Sequence, residues 1–360
     1  MNVLPTQSHT TSHNPAGTDG FAFIEFTSAD QALLHSLFKQ LGFSPLSHHK
    51  EKPLTWYHQG GIYFLVNDQP YGFTERFESI HGPSACAMGF KVQNARQAYQ
   101  HAMRQGARSC KPKMLEFQVP AIYGIGDSVL YLVDDTTRET VYEDLFYSLE
   151  EADRVKDVGL KLIDHLTHNV YRGHMDKWAR FYEKTFEFYE MRYFKIQGEH
   201  TGLLSRAMTS PCGKIKIPIN ESKDQSSQIE EFLNEYKGEG IQHIALTTDN
   251  IVETVTALRN NGIKFMDVPD SYYDMIDSRL PGHKQDVDKL REHRILMDGY
   301  KQDNQWHLLL QIFTAPLIGP IFFEIIQRLG DEGFGEGNFQ ALFEAMERDQ
   351  IKRGVLQVDV

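Results

Sequence analysis

The sequence predicts an α+β chain of two halves, each built from a pair of βαβββ-type units that curl a sheet around a cavity. Three observations carry this expectation. A strand followed by an amphipathic helix and further strands recurs four times along the chain. Two of the copies align at a constant offset, since 250 − 94 = 156 separates their helix-capping asparagines Asn94 and Asn250. In the second half, three apolar strands each carry one residue able to bind a metal.

A length of 360 residues suits two domains rather than one. Residues 1–19 are polar, rich in Ser, Thr, His and Asn, and read as a tail. Residues 20–152 form the first half and residues 153–360 the second, divided by the charged stretch 150–156.

The first unit opens with FAFIEF (residues 21–26), and its helix carries Leu34, Leu37, Phe38 and Leu41 at helical spacing. The second and fourth units share the helices NARQAYQHAMRQG and NIVETVTALRNNG. In each, Asn caps the start and Gly closes the end. Ile251, Val255 and Leu258 make the apolar stripe of one, and Ala95, Tyr99 and Ala102 that of the other. The third unit pairs the strand at residues 162–166 with a helix bearing Trp178, Phe181, Tyr182, Thr185 and Phe186. A charged connector at residues 267–298 contains an expected helix at 283–292, with His283, His293 and His307 read as solvent-facing.

The chain then runs through LLLQIFTAPLIGPIFFEIIQR (residues 308–328), a strand, a Pro/Gly turn and a second strand. Glu324 is the one acid in that strand. A strand alternates its faces, so Phe322 and Glu324 share a side. A buried carboxylate needs a cation or hydrogen bonds. From this strand alone, an ion pair with Arg or Lys satisfies it as well as a metal does. His165 and His243 sit in two further apolar strands, with 243 − 165 = 78 and 324 − 243 = 81 residues between successive members. Such gaps are too wide for a zinc finger and suit three strands of one sheet. A lone buried His is usually a satisfied core residue, whereas two His and one carboxylate form the facial triad of non-haem Fe(II) oxygenases. The first half lacks this set: at the 156 offset Ala87 stands where His243 would. His168, three residues beyond His165, has poor spacing for the same strand face and reads as a supporting or structural residue.

Composition excludes several classes. The net charge is −12, and no basic stripe is present to bind nucleic acid. No apolar run is long enough to span a membrane, and no leader pattern opens the chain, so it reads as cytosolic. Three cysteines without a CxxC pair imply no disulfide framework. The glycine-rich GFGEG (residues 333–337) lacks GxGxxG spacing and a following Lys, and so reads as a hinge, not a phosphate loop. Asn338 is placed to cap the helix that follows it.

The motifs IDHLTHNV, GEGIQHIAL, KIKIPINES, LLQIFT, FFEIIQR and GFGEGNF together resemble the 4-hydroxyphenylpyruvate dioxygenase family, in its shorter bacterial form. The resemblance runs from about residue 20 to the C-terminus. It implies the vicinal oxygen chelate, or glyoxalase-like, fold with an open barrel in each half. It implies Fe(II) on His165, His243 and Glu324, 4-hydroxyphenylpyruvate and O₂ as substrates, and homogentisate and CO₂ as products of tyrosine breakdown. It also implies a homodimer or homotetramer, and a C-terminal helix that closes the site.

Around the metal, the resemblance implies that Phe313 and Phe339 flank the ring and that Ser205, Asn220, Gln228 and Gln311 line a polar pocket. Phe322 joins them from the Glu324 face, while Pro218, Phe334 and Asn338 complete the wall. Gln242 is a further match, although strand alternation turns it away from His243. Two rivals stand beside this reading. One is a metal-free small-molecule binder of the same fold. The other is 4-hydroxymandelate synthase, a relative with the same ligands and substrate. In that relative Thr and Ser typically match Pro218 and Asn220, and a smaller aliphatic residue matches Phe313.

Overall fold

The computed structural model describes residues 13–111, 116–149, 154–197, 201–335, 337–338, 340, 350–351 and 353–354. The first half contains β1 (Thr18–Thr27), α1 (Gln31–Gln40), β2 (Ser44–His49), β3 (Leu54–Gln59), β4 (Ile62–Asn67), α2 (Gly72–His81), β5 (Ser84–Val92), α3 (Ala95–Arg104), β6 (Ala121–Tyr123), β7 (Val129–Val133), α4 (Asp135–Tyr142) and β8 (Phe146–Ser148). The second contains β9 (Leu160–Val170), α5 (Met175–Phe186), β10 (Tyr189–Gln197), β11 (Gly202–Thr209), β12 (Lys216–Ser222), α6 (Gln228–Tyr236), β13 (Gly240–Thr248), α7 (Ile251–Asn260), α8 (Asp270–Asp274), α9 (Ile276–Arg279), α10 (Val287–Glu292), β14 (Leu296–Gln302), β15 (Gln305–Phe313) and β16 (Phe322–Leu329).

Each half is one eight-stranded sheet, ordered β6-β7-β5-β1-β4-β3-β2-β8 and β10-β11-β12-β9-β13-β16-β15-β14. The opening strands of paired units, β1 with β5 and β9 with β13, lie antiparallel at the centre of each sheet. The last strand of each unit returns parallel to its own first strand, as β4 does to β1 and β16 to β13. This is the mixed α+β, glyoxalase-like arrangement expected from the repeats. The capped helices also form as read. Asn94 Oδ1 accepts from Gln97 N at 2.8 Å and Asn250 Oδ1 from Glu253 N at 3.3 Å. Their closing glycines, Gly106 and Gly262, have φ of 89° and 92°.

Three of the four units are complete βαβββ repeats. Among the described residues the second is shorter: after α3 it has β6 and β7, and the place of a further strand is marked by the bridge between Ser109 and Ile122. At the opposite edge of that sheet, β8 adds to β2. The connector helix is also shorter than its charge pattern suggested. α10 begins at Val287, because Asp286 caps it by accepting from Lys289 N at 3.1 Å. His283 is buried rather than solvent-facing, with Nε2 2.9 Å from Asp277 Oδ1, while its Nδ1 accepts from Gln285 N.

The pairing registers show why, among the described residues, metal-binding groups gather in the second half. In that half His165 and Glu324 both lie opposite Ala245, and His243 lies opposite Thr167 and Phe322. In the first half the same register positions fall on Phe23 and Tyr131, both opposite Gly89, and on Ala87. Phe23 and Tyr131 have ring centroids 5.6 Å apart and join Trp56 and Phe117 in one apolar cluster. The first barrel is therefore filled where the second carries its three polar residues.

Candidate metal centre

His165, His243 and Glu324 are brought together from β9, β13 and β16, three adjacent strands at the centre of one sheet. All three are about 1 % exposed. One ligand atom from each lies within 4.8 Å of the others. Glu324 Oε2 is 3.0 Å from His165 Nε2 and 3.5 Å from His243 Nε2. Atoms bound at ~2.1 Å and at right angles to one first-row metal lie ~3.0 Å apart. Among the described residues, the basic groups within 4 Å of the Glu324 carboxylate are these two imidazoles, not Arg or Lys.

The donor chemistry fits a metal. His165 Nδ1 donates to Asp164 Oδ1 at 2.8 Å, and His243 Nδ1 donates to Gln242 Oε1 at 3.0 Å. With the Nδ1 proton fixed, each Nε2 keeps its lone pair for coordination. His243 Nε2 is buried with no hydrogen-bond partner, which is costly unless something binds it. Glu324 Oε1 accepts from Gln311 Nε2 at 2.6 Å, which leaves Oε2 turned to the histidines. Burial drives the Glu324 carboxyl upward, but the two imidazoles outweigh it and hold the group at about 2. Burial alone lowers His165, yet Glu324 and Asp164 reverse this and raise it. His243 has no such carboxylate on its far side, and burial lowers it.

The placement of Gln242 overturns the alternation argument. Ile241 pairs with His168 and His243 with Thr167, so two residues of β13 step against one of β9. A β-bulge of this kind re-aims a side chain, and Gln242 comes to the Nδ1 side of His243. A second register shift, between Ala245–His165 and Leu246–Ile163, leaves Asp164 as the extra residue of β9. Each of the two histidines thus follows a bulged residue that accepts a hydrogen bond from its Nδ1.

Asp164 and Arg328 lie directly behind the cluster, and strand patterning did not single them out. Arg328 Nε and Nη2 donate to Asp164 Oδ2 and Oδ1 at 2.7 and 2.8 Å, a bidentate pair. Arg328 Nη1 donates to the carbonyls of Asp331 and Gly333, so the same guanidinium fixes the glycine-rich segment. The signal was present: an Arg four residues beyond Glu324 shares its strand face, and an Asp precedes His165 in an apolar run.

Three of the four aromatic residues expected there lie beside the cluster. Phe322 stacks on His243 at 4.8 Å between centroids, Phe313 meets His243 edge-on at 6.4 Å, and Phe334 meets His165 edge-on at 5.4 Å. A Cβ at Gly335, whose φ is +68°, would collide with Gln311 Oε1. The helix that Asn338 is expected to cap lies largely outside the described residues, whereas the side chain of Asn338 itself is buried. Its amide lies 2.8 Å from Gln311 Oε1 and 2.7 Å from the Tyr272 hydroxyl, which ties the segment to Glu324 through Gln311. Ser205, Pro218 and Asn220 lie on β11 and β12, where Ser205 pairs with Asn220 and Pro218 with Ala207. Gln228 opens α6 and is buried, and no hydrogen bond among the described residues links it to the ligand cluster. His168 faces α5, with Nε2 2.7 Å from the Tyr182 hydroxyl, and is structural. Phe339 and most of the closing helix lie outside the described residues.

Comparison with known proteins places the chain among the following relatives. Residues 12–148 match the family model described as hydroxyphenylpyruvate dioxygenase, HPPD, N-terminal. Residues 162–275 match that of the glyoxalase/bleomycin resistance protein/dioxygenase superfamily. The chain is 54% identical to a 4-hydroxyphenylpyruvate dioxygenase of Legionella pneumophila, over 96% of this chain and 98% of that protein. It is 56% identical to hemolysin VllY of Vibrio vulnificus, over 95% and 98% of the two chains. Among solved structures, a mutant 4-hydroxymandelate synthase from Streptomyces coelicolor superposes with a TM-score of 0.80 at 26% identity, covering 93% of this chain and 99% of that one. No helix among the described residues is long and apolar enough to cross a membrane.

Proposed function

The chain belongs to the 4-hydroxyphenylpyruvate dioxygenase family, and from that premise we propose that it is an Fe(II)-dependent enzyme converting 4-hydroxyphenylpyruvate and O₂ to homogentisate and CO₂ in tyrosine breakdown. The observation that carries the proposal is the convergence of His165 Nε2, His243 Nε2 and Glu324 Oε2, each held from behind by a hydrogen bond to its other polar atom. Two His and one carboxylate are the donor set that suits ferrous iron. Fe(II) bound there supplies the Lewis acidity and the redox chemistry of the oxidation.

The protein's own residues supply position and dryness. Asp164 and Gln242 fix the tautomers of the two ligand imidazoles, and Gln311 keeps Glu324 from rotating. Phe313, Phe322 and Phe334 exclude water around the centre and offer flat walls to an aromatic ring. Ser205 and Asn220 present polar atoms that are buried without protein partners and can receive a phenol at no cost in buried charge. The substrate carries its own 2-oxo acid, so no separate 2-oxo acid is needed. A cytoplasmic homo-oligomer is part of the same proposal.

The likeness to 4-hydroxymandelate synthase supports a second reading, with oxidation at the benzylic carbon. Phe313, Pro218 and Asn220 are all of the ring-oxidising type, and Phe313 packs against both His243 and Phe322, limiting rotation of the ring. Incubation of the purified protein with Fe(II), O₂ and 4-hydroxyphenylpyruvate, followed by chromatography, distinguishes the two. Homogentisate as the main product supports the proposal, and 4-hydroxymandelate as the main product overturns it.

A further inference from the structure

Asn169 is fully buried, and neither its Oδ1 nor its Nδ2 has a hydrogen-bond partner. A side-chain amide left wholly unpaired in a core is rare and destabilising. It stands on β9 four residues beyond His165, on the same strand face and roughly 13 Å further along. The register sets Asn169 opposite Asn220 of β12, and Asn220 opposite Ser205 of β11. Asn220 Oδ1 and Ser205 Oγ are likewise buried without partners. On the other side Asn169 faces Gly240 of β13, which has no side chain to satisfy it. The three residues therefore form one row of unpaired polar groups across three strands, at the end of the β9 inner face remote from the ligand imidazole. A para-hydroxyphenyl ligand held by its acid end beside His165 has a hydroxyl to satisfy, and this row offers unpaired hydrogen-bonding groups on the same strand face.

We propose that Asn169 is a specificity-determining residue: with Asn220 and Ser205 it binds the phenolic hydroxyl and makes the site select 4-hydroxylated over unsubstituted aryl 2-oxo acids. The inference rests on the substrate class proposed above. A site built to hydrogen-bond a hydroxyl rejects the analogue lacking it, because its own buried polar groups then stay unpaired.

The test is anaerobic equilibrium titration of Fe(II)-loaded wild type, Asn169→Leu and Asn169→Ser with 4-hydroxyphenylpyruvate and with phenylpyruvate, reading the ratio of the two Kd values. The wild type should favour the hydroxylated ligand. Asn169→Leu should cut that preference by about tenfold, the worth of one good hydrogen bond, with the phenylpyruvate Kd changed less than twofold. Asn169→Ser, which keeps a shorter polar group, should fall between and serves alone if the leucine variant does not fold. Thermal unfolding of Asn169→Leu without ligand should show an unchanged or higher Tm, since an unpaired amide has been removed from the core. A preference retained in both variants, as expected if an internal water is Asn169's only partner, overturns the inference alone. So does an equal weakening of both ligands. A wild type that binds neither ligand overturns the substrate reading, and this inference with it.

Discussion

Replacing Asp164 by Ala should separate the metal-holding function of its carboxylate from its structural one. The carboxylate is 5% exposed and accepts three hydrogen bonds, two from Arg328 and one from His165 Nδ1. Removing it leaves the Arg328 guanidinium buried with, among the described residues, the Asp331 and Gly333 carbonyls as its remaining hydrogen-bond partners. Breaking one side of a buried pair costs about 3–5 kcal/mol. In a half of roughly 200 residues, where each kcal/mol moves Tm by about 2–4 °C, this lowers Tm by roughly 6–20 °C. Separately, loss of the Nδ1 acceptor frees the His165 ring, and such partners are worth about 10–100-fold in metal affinity. Calorimetry reads the first effect and anaerobic equilibrium dialysis against Fe(II) the second. The double variant Asp164→Ala with Arg328→Leu removes the stranded charge. It should recover most of the stability and none of the metal affinity. A single variant that binds Fe(II) as tightly as wild type would refute the positioning argument. A double variant that regains both properties would show that the lost affinity was merely loss of fold.

Glu324→Ala should fold but lose iron affinity and turnover together, as should His165→Ala and His243→Ala; full iron occupancy with full activity in any of them, measured by metal analysis and product assay, contradicts the ligand set. Phe313→Ile should open space beside His243 and Phe322 and divert part of the product to 4-hydroxymandelate, read by chromatography, whereas an unchanged product ratio removes Phe313 from the control of ring position. In the first half, Glu25 is buried and accepts from Asn67 Nδ2 at 2.7 Å, and burial, with Glu116 nearby, lifts its carboxyl from 4.5 to about 8. Because the folded value lies above the unfolded one, its stabilisation is complete below pH 4.5 and is lost as pH rises through about 8. Glu25→Gln should therefore gain on wild type in urea unfolding between about pH 5 and pH 8, and parallel pH profiles of the two proteins would count against a buried neutral acid.

The local pattern of residues was enough to determine the repeats, the capped helices α3 and α7, and the identity of His165, His243 and Glu324 as outliers in apolar strands. Those features depend on periodicity and on single-residue chemistry, which are written along the chain. The absence of a histidine at Ala87 was equally plain, because the two halves could be compared at a fixed offset. What lay beyond the sequence depends on how strands register. The two bulges that set Asp164 and Gln242 behind the ligand histidines arise from pairing between β9 and β13, and simple alternation misplaces Gln242 for that reason. The shortened second unit, the bidentate grip of Arg328 on Asp164, and the aromatic plug of Phe23 and Tyr131 in the first barrel likewise follow from contacts between residues far apart in sequence. Asn169 shows the division most clearly: in sequence it is one polar residue in a strand, and only when β9, β12 and β11 lie side by side does it stand in a buried row of polar groups without protein partners.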